Sequence, residues 1–174
     1  MGLDIIAAAN LTRIENPRFN EDDELVNEGG HIISTDLYLR LYPNSDFPAQ
    51  ADGMECGCYW IDPGFGKTMH IPAGSYSSYG RWRNELAKLA GWDSAEHAWR
   101  SEPSGPFYEL IHFSDCEGII GPNTSAKLRG DFGTHHKRAM VELPDDFRGF
   151  YRHLYGEFLE AFRLASQGGA VQFR

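Results

Sequence analysis

Residues 145–174 read DDFRGFYRHLYGEFLEAFRLASQGGAVQFR. Asp145 or Asp146 is a typical N-cap residue, and Gly168 is typical of a helix end, so a helix is predicted between them. Its apolar residues recur at helical spacing and predict one buried stripe: Phe147, Phe150, Tyr151, Leu154, Phe158, Ala161, Phe162 and Ala165. The final AVQFR predicts a short strand. This stretch therefore joins the strongest helix signal of the chain to a strand.

The rest of the chain mixes strand and helix signals without regular alternation. Strands are predicted in LDIIAAA (3–9), IISTDLYLRLY (32–42), MECGCYWI (54–61), TMHI (68–71) and FYELIHF (107–113), and a helix in GSYSSYGRWRNELAKLAG (74–91), which ends at Gly91. No linker or repeat divides residues 1–174. We therefore expect a single α+β domain with a mostly antiparallel sheet and two or three helices packed on one face. The acidic segment 15–30 is predicted to be an exposed loop.

The composition excludes several classes of protein. With 25 acidic and 16 basic residues, the net charge of −9 disfavours a nonspecific nucleic-acid binder or a membrane-surface protein. No apolar run is long enough to cross a bilayer, and no signal peptide is apparent. Three cysteines are too few for a secreted disulfide framework, so a reduced, cytoplasmic setting is expected.

The first candidate site is PAGSYSSYGRWR, residues 72–83. Ser75 and Tyr76 lie where the helix begins, and backbone amides there favour anions. At 100° per residue Arg83 lies beside the Tyr79 and Trp82 stripe, so its guanidinium is predicted to bind phosphate while an aromatic ring stacks on a base. The alternative is amphipathic packing with an arginine that reaches the surface.

The second candidate site follows the predicted strand 107–113, in SDCEG. Ser114, Asp115 and Glu117 are predicted to bind a ligand's hydroxyl or ring nitrogen, or, in an enzyme, to assist His112 as a base. The alternative is a turn with solvated carboxylates and a structural histidine.

A helix beginning near Pro122 is predicted to offer a further anion site, with Lys127 adding positive charge. The signal is incomplete because the sequence lacks a full phosphate-binding loop. No metal is expected, since Cys56 and Cys58 in CGC lack the CxxC spacing of structural zinc sites, and no motif implies a cofactor.

Three stretches carry a resemblance: AGSYSSYGRWRNELAKLAG (73–91), FYELIHFSDCEGIIGPNTSAKLRGDF (107–132) and FLEAFRLASQGGAVQFR (158–174). In these the chain resembles a family of small uncharacterised proteins of tailed bacteriophages and prophages that share the motifs AGSYSxYxRWR and FSDCEGxIGP. The resemblance implies an accessory protein in the cytoplasm of an infected bacterium, and by class analogy a counter-defence role against host immune signalling.

These observations lead to three functional hypotheses. The first is a module, expected to be a homo-oligomer, that binds and sequesters a nucleotide-like or phosphorylated small molecule between residues 74–83 and 112–127. The second is a hydrolase of similar substrates that uses His112, Asp115 and Glu117. The third is an acidic inhibitor that blocks a host protein through residues 21–28.

Overall fold

The computed structural model describes residues 2–62, 67–101, 103–145 and 149–174. Its strands are β1 (Gly2–Ala8), β2 (Leu11–Arg13), β3 (Arg18–Phe19), β4 (Leu25–Val26), β5 (Tyr38–Leu41), β6 (Gly57–Ile61), β7 (Thr68–Ser75), β8 (Gly118–Ile120) and β9 (Ala170–Phe173). Its helices are α1 (Tyr76–Leu89), α2 (Ala95–Arg100), α3 (Tyr108–Ile111), α4 (Pro122–Glu142) and α5 (Phe150–Ala165).

The main sheet has four antiparallel strands in the order β7-β1-β9-β8. Side chains alternate between its two faces, as the period of a strand requires. One face carries Ile5 of β1, Ile71 of β7 and Val171 of β9, which are all buried in the large core under the helices. The opposite face carries Ile6, which pairs in register with His70 on one side and with Gln172 on the other.

Helices α1, α4 and α5 pack on the first face of the main sheet. The predicted stripe of α5 is confirmed where it is described, because Leu154, Phe158 and Phe162 are buried in this core. Phe147 and Asp146 lie outside the described residues. Gly168 adopts a left-handed φ of +70° and turns the chain from α5 into β9. The prediction of an α+β fold with helices on one face of an antiparallel sheet is confirmed.

Helix α1 ends at Gly91 as its sequence predicts, and it begins at the first of three serines that are possible N-caps, Ser75, Ser77 and Ser78. Ser75 is the N-cap, and its Oγ accepts a hydrogen bond from the main-chain N–H of Ser78 at 3.2 Å. At the other end Gly91 has a φ of +95°, and its N–H donates to the carbonyl of Lys88. The N–H of Trp92 donates to the carbonyl of Ala87. These two bonds form the Schellman motif, which satisfies the last carbonyls of the helix.

A smaller antiparallel sheet, β2-β6-β5, packs on the opposite face of the main sheet. Leu39, Leu41 and Tyr59 of this sheet share a second core with Ala8, Ile119 and Ala170 of the main sheet. The strand predicted over 32–42 exists only as β5, because residues 35–37 form a 3-10 turn. The segment 15–30 is largely exposed, as predicted. It also contains the hairpin β3–β4, which the buried side chain of Leu25 attaches to the rest of the protein.

The strand predicted over 107–113 is wrong, because this segment forms the short helix α3. The apparent alternation concealed a helical pattern in which Tyr108, Leu110 and Ile111 are all buried. Phe107 enters the helix with a left-handed φ of +59°, and its N–H donates to the carboxylate of Asp131 in α4 at 2.9 Å. Tertiary contacts therefore override the local pattern here.

Candidate functional site

The two segments that the sequence singled out meet in the structure through Arg83. Its Nη2 donates to Asp115 Oδ2 at 3.2 Å, and its Nη1 donates to the carbonyl oxygens of Phe113 at 2.7 Å and Ile111 at 3.4 Å. The arginine side chain is only 6% exposed. The guanidinium therefore binds main-chain carbonyls at the C-terminal end of α3 and the carboxylate of Asp115. Because these groups of the protein use its donors, the predicted phosphate contact of Arg83 is not supported.

Tyr79 and Trp82, predicted to stack on a base, lie in the core instead. Both are fully buried and stack on each other with ring centroids 5.8 Å apart, and Trp82 stacks on Phe158 of α5 at 4.8 Å. Burial raises the pKa of the Tyr79 hydroxyl. Their faces are covered by other aromatic rings, so the packing alternative accounts for this stripe.

Ser75 and Tyr76 remain at the surface end of α1. The Ser75 hydroxyl is used as the N-cap and lies 3.0 Å from the hydroxyls of both Ser77 and Ser78. Tyr76 is half-buried against the helical core. These residues therefore complete the helix start without the arginine and aromatic faces that were expected beside them.

The predicted anion site at the start of α4 is filled by a carboxylate of the chain. Asp52 accepts the main-chain N–H of Thr124 at 2.7 Å and its hydroxyl at 3.0 Å. Lys127 is also engaged, since its Nζ lies 2.5 Å from Glu109 and 2.8 Å from Asp131. A helix N-terminus favours negative charge, and at α4 that charge is supplied by Asp52 of the chain itself.

The SDCEG segment forms a turn. Ser114 Oγ accepts the main-chain N–H groups of Cys116 at 3.3 Å and Glu117 at 3.2 Å, as short hydroxyl residues often do in turns. The His112 ring stacks on Tyr108 with centroids 5.3 Å apart. Asp115 and Glu109 each lie three residues from His112 along the chain and are paired with Arg83 and Lys127, so the arrangement does not support His112 as an activated base.

A different site lies on the opposite face of the main sheet, in a cleft of about 790 Å³ beside the smaller sheet. Ligand sites typically measure roughly 300–1,000 Å³. The lining comes from the main sheet, from β5 and the residues that flank it, from the last residue of β6 and from the β3–β4 hairpin: Ile6, Asp23, Thr35, Asp36, Tyr38, Leu39, Arg40, Tyr42, Ile61, Thr68, Met69, His70, Gln172 and Arg174. Aromatic, cationic and carboxylate groups therefore share one concave surface.

Arg40 is a cation of this cleft that contacts other side chains of the protein. Its Nη1 lies 2.6 Å and its Nη2 3.2 Å from the two carboxylate oxygens of Asp23, so the pair is bidentate. The guanidinium also lies 4.4 Å from the ring centroid of Phe19. Hydrogen bonding to Asp23 raises the pKa of Arg40, and the same bond lowers the pKa of Asp23.

The cleft contains further polar groups on the main sheet. His70 Nε2 lies 3.5 Å from Asp4 Oδ1 on the adjacent strand, and both side chains are more than half exposed. Arg174 and Asp36 also line the cleft, and within the described part of the chain neither forms an ion pair. These groups offer both charge signs to a ligand.

Strand β5 turns one main-chain edge away from β6 on this side. Gln172 Nε2 donates to the carbonyl of Arg40 at 2.8 Å, which shows that this carbonyl points away from β6. The Cys58 carbonyl, opposite Arg40, accepts a bond from Ile14 on the far side of β6, consistent with a non-hydrogen-bonded pair. Because alternate residues point the same way, the main-chain groups of Tyr38 also face away from β6.

Sequence reasoning missed this cleft, although one signal was present. Tyr38, Arg40 and Tyr42 alternate with buried leucines, which marks a polar and aromatic strand face. Which element would lie opposite that face depends on the packing of two sheets. Among the described residues, no group of three or more histidine, cysteine or acidic side chains is placed to hold a metal ion.

Comparisons with known proteins leave the assignment to the geometry. The chain matches no protein family, no curated protein and no solved structure. No helix among the described residues is long and apolar enough to span a membrane.

Proposed function

We propose that the protein binds and sequesters a nucleotide-like or phosphorylated small molecule in the cleft between its two sheets. The observation that supports this proposal most directly is the concentration of aromatic rings, cations and a free carboxylate around a volume of about 790 Å³. The ligand class is the one that the sequence suggests, while its location moves from the Arg83 region to the cleft, because the arginine and aromatic rings first considered are used in folding.

Each part of such a ligand has a suitable partner in the cleft. The rings of Tyr38 and Tyr42 can stack on a base. Arg174 can bind an anionic group, because cations and phosphates form charge-assisted hydrogen bonds. Asp36 can accept hydrogen bonds from sugar hydroxyls. Binding without a recognised nucleophile suits sequestration, which by class analogy is one of the roles of phage counter-defence proteins.

The biological setting belongs to the same proposal. The resemblance to phage and prophage proteins suggests that sequestration would remove a signal of the host's defence. Self-association is expected in addition, and the cleft can bind a ligand within one chain.

Calorimetric titration with nucleosides and with linear and cyclic nucleotides tests the proposal. Arg174→Gln is expected to weaken binding at least tenfold, because it removes a charge that has no other partner in the described structure. Arg81→Gln is the matched control: Arg81 is exposed on α1, on the other side of the main sheet, and should leave affinity unchanged. Absence of binding by every compound would reject the proposal, as would equal affinity loss in the two variants.

A hydrolase is the second candidate, and His70 is the observation that favours it. The histidine lines the cleft and lies 3.5 Å from Asp4, so it can act as a general base on a bound ligand. Mass spectrometry after incubation separates the two functions, because a sequestering protein releases its ligand intact. Cleavage that is lost in His70→Gln would establish the enzyme.

A further inference from the structure

The contact between Asp23 and Arg40 has the geometry of an anion bound in the cleft. A carboxylate engages both terminal nitrogens of the guanidinium, at 2.6 and 3.2 Å, and the guanidinium lies over the ring of Phe19. This fork matches carboxylate and phosphate oxygens equally well. Arg40 lines the cleft, so the position that Asp23 occupies is open to a ligand.

Arg40 Nη2 also donates to the main-chain carbonyl of Asp23 at 3.3 Å, but the Asp23 carboxylate itself faces solvent. The Asp23 side chain is 74% exposed, whereas that of Arg40 is 25% exposed. Exposed ion pairs contribute little to stability, so exchanging this carboxylate for another anion has a small cost. Asp23 belongs to the exposed tip of the β3–β4 hairpin. Arg40 lies on β5, which pairs with β6 of the smaller sheet and accepts a hydrogen bond from Gln172 of the main sheet. The carboxylate is therefore the partner that can move.

The tip of the hairpin also limits how much negative charge a ligand can carry at the rim of the cleft. Glu21, Asp22 and Glu24 flank Asp23 and are exposed, and the side chain of Asn20 accepts the N–H groups of Asp22 and Glu24 and so orders the turn. Four consecutive acidic residues repel additional negative charge at the rim of the cleft.

We infer that Arg40 is a second anion subsite of the cleft, in addition to Arg174, that Asp23 occupies it as an internal competitor, and that the ligand carries a single phosphate or carboxylate group there. The inference rests on the proposed function for the rest of the ligand. It adds that a polyphosphate is disfavoured, and that removing the carboxylate of Asp23 strengthens the binding of small anions.

The variant Asp23→Asn tests the subsite directly. Asparagine tolerates the left-handed φ of +61° at this position and keeps the shape of the side chain, so the turn is preserved. Asp22→Asn is the matched control, because it removes the same charge from the same tip, where no hydrogen bond joins Asp22 to Arg40 in the described structure. The side-chain Nε–H resonance of Arg40 in NMR spectra reports binding, with inorganic phosphate and acetate as separate probes.

For Asp23→Asn we expect a saturable shift of the Arg40 resonance, with affinity up to about fivefold above wild type, the factor that corresponds to loss of one exposed ion pair. Asp22→Asn lowers only the repulsion at the tip and should therefore gain clearly less. A response to phosphate alone or to acetate alone identifies the group that the subsite prefers. No saturable shift in Asp23→Asn with either probe would overturn the inference, as would an equal gain in both variants.

Nucleotide titrations separate this inference from the proposed function. If a nucleoside 5′-monophosphate binds more tightly than both its nucleoside and its triphosphate, and Asp23→Asn strengthens it, both statements are supported. If nucleosides and monophosphates bind equally well and Asp23→Asn has no effect, the cleft binds a ligand but the subsite is wrong. If no nucleotide binds while phosphate still shifts Arg40 in Asp23→Asn, the subsite stands and the proposed function fails.

Discussion

Replacement of Arg83 by lysine distinguishes a structural arginine from a ligand-binding one. In the structure the guanidinium makes three hydrogen bonds at once, at 3.4 and 2.7 Å to the carbonyls of Ile111 and Phe113 and at 3.2 Å to Asp115. A lysine keeps the charge but has one nitrogen in place of the planar fork, so it cannot hold the carbonyls and the carboxylate together.

The magnitude of the change follows from those bonds. Hydrogen bonds that involve a charged group contribute about 1.5–3 kcal/mol each. The Arg83 side chain is only 6% exposed, so water cannot replace its bonds to the two carbonyls, whereas Asp115 is 46% exposed and its bond contributes less. We expect Arg83→Lys to lose one or two of the three bonds and to lower the free energy of unfolding by about 2–4 kcal/mol. A ligand-binding arginine at the surface would change by only about 0.5 kcal/mol.

Urea denaturation followed by tryptophan fluorescence measures the difference, with extrapolation to zero denaturant. Arg81→Lys, two residues away and exposed, is the control and should stay within about 0.5 kcal/mol of wild type. An Arg83→Lys protein as stable as this control would refute the structural account. If the structural account holds, a double-mutant cycle with Asp115→Asn should show coupling of about 0.5 kcal/mol or more between the side chains of residues 83 and 115.

Four further changes test the fold and the corrected anion site, each by the same denaturation assay. Phe158→Ala should lower stability by about 3–5 kcal/mol because the ring is fully buried, and a loss below about 1 kcal/mol would contradict its place in the core. Gly169→Ala should cost more than about 2 kcal/mol, since an added Cβ would overlap a carbonyl oxygen of β1; a neutral effect would disprove that close approach. Gly130→Ala should instead stabilise α4 by about 0.5–1 kcal/mol, because nothing lies within 4 Å of the added Cβ. Asp52→Asn should cost about 1 kcal/mol by weakening the cap on Thr124, and unchanged stability would remove Asp52 from that role.

The elements that sequence patterns predict well are those with long, one-sided patterns. The stripe of α5 continues over four turns and predicts the buried Phe158 and Phe162 correctly. The ends of α1 are predicted by Ser75 and Gly91, because capping depends on residues next to each other in the chain. Both features are local, so no knowledge of tertiary packing is needed.

The predicted site depends on contacts that are not local. Arginine and aromatic residues at the start of a helix suit a phosphate site, but Arg83 finds its partners about 30 residues away, in the turn that follows α3. The start of α4 likewise finds a distant partner, because the Thr124 N–H donates to Asp52, 72 residues away in sequence. Only the folded arrangement determines whether a charged group faces a ligand or another part of the chain.

The cleft could not be predicted because its two walls come from different sheets. Residues of β5 and β9 lie 132 positions apart and are joined by the bond from Gln172 to Arg40. The alternation around Tyr38 identifies the face of one strand, while the position of His70 opposite it follows from the pairing of β7 with β1. The alternation within a strand predicts which of its side chains share a face, but it does not predict which element packs against that face.

The location of a bound ligand tests the central claim most directly. Backbone and side-chain NMR shifts of the wild-type protein should be recorded during titration with whichever nucleotide binds best by calorimetry. The account predicts that the largest saturable shifts map to Tyr38, Arg40, His70 and Gln172, on the cleft side of the main sheet. Shifts concentrated instead at Arg83 and the SDCEG turn would contradict it and return the site to the helical side.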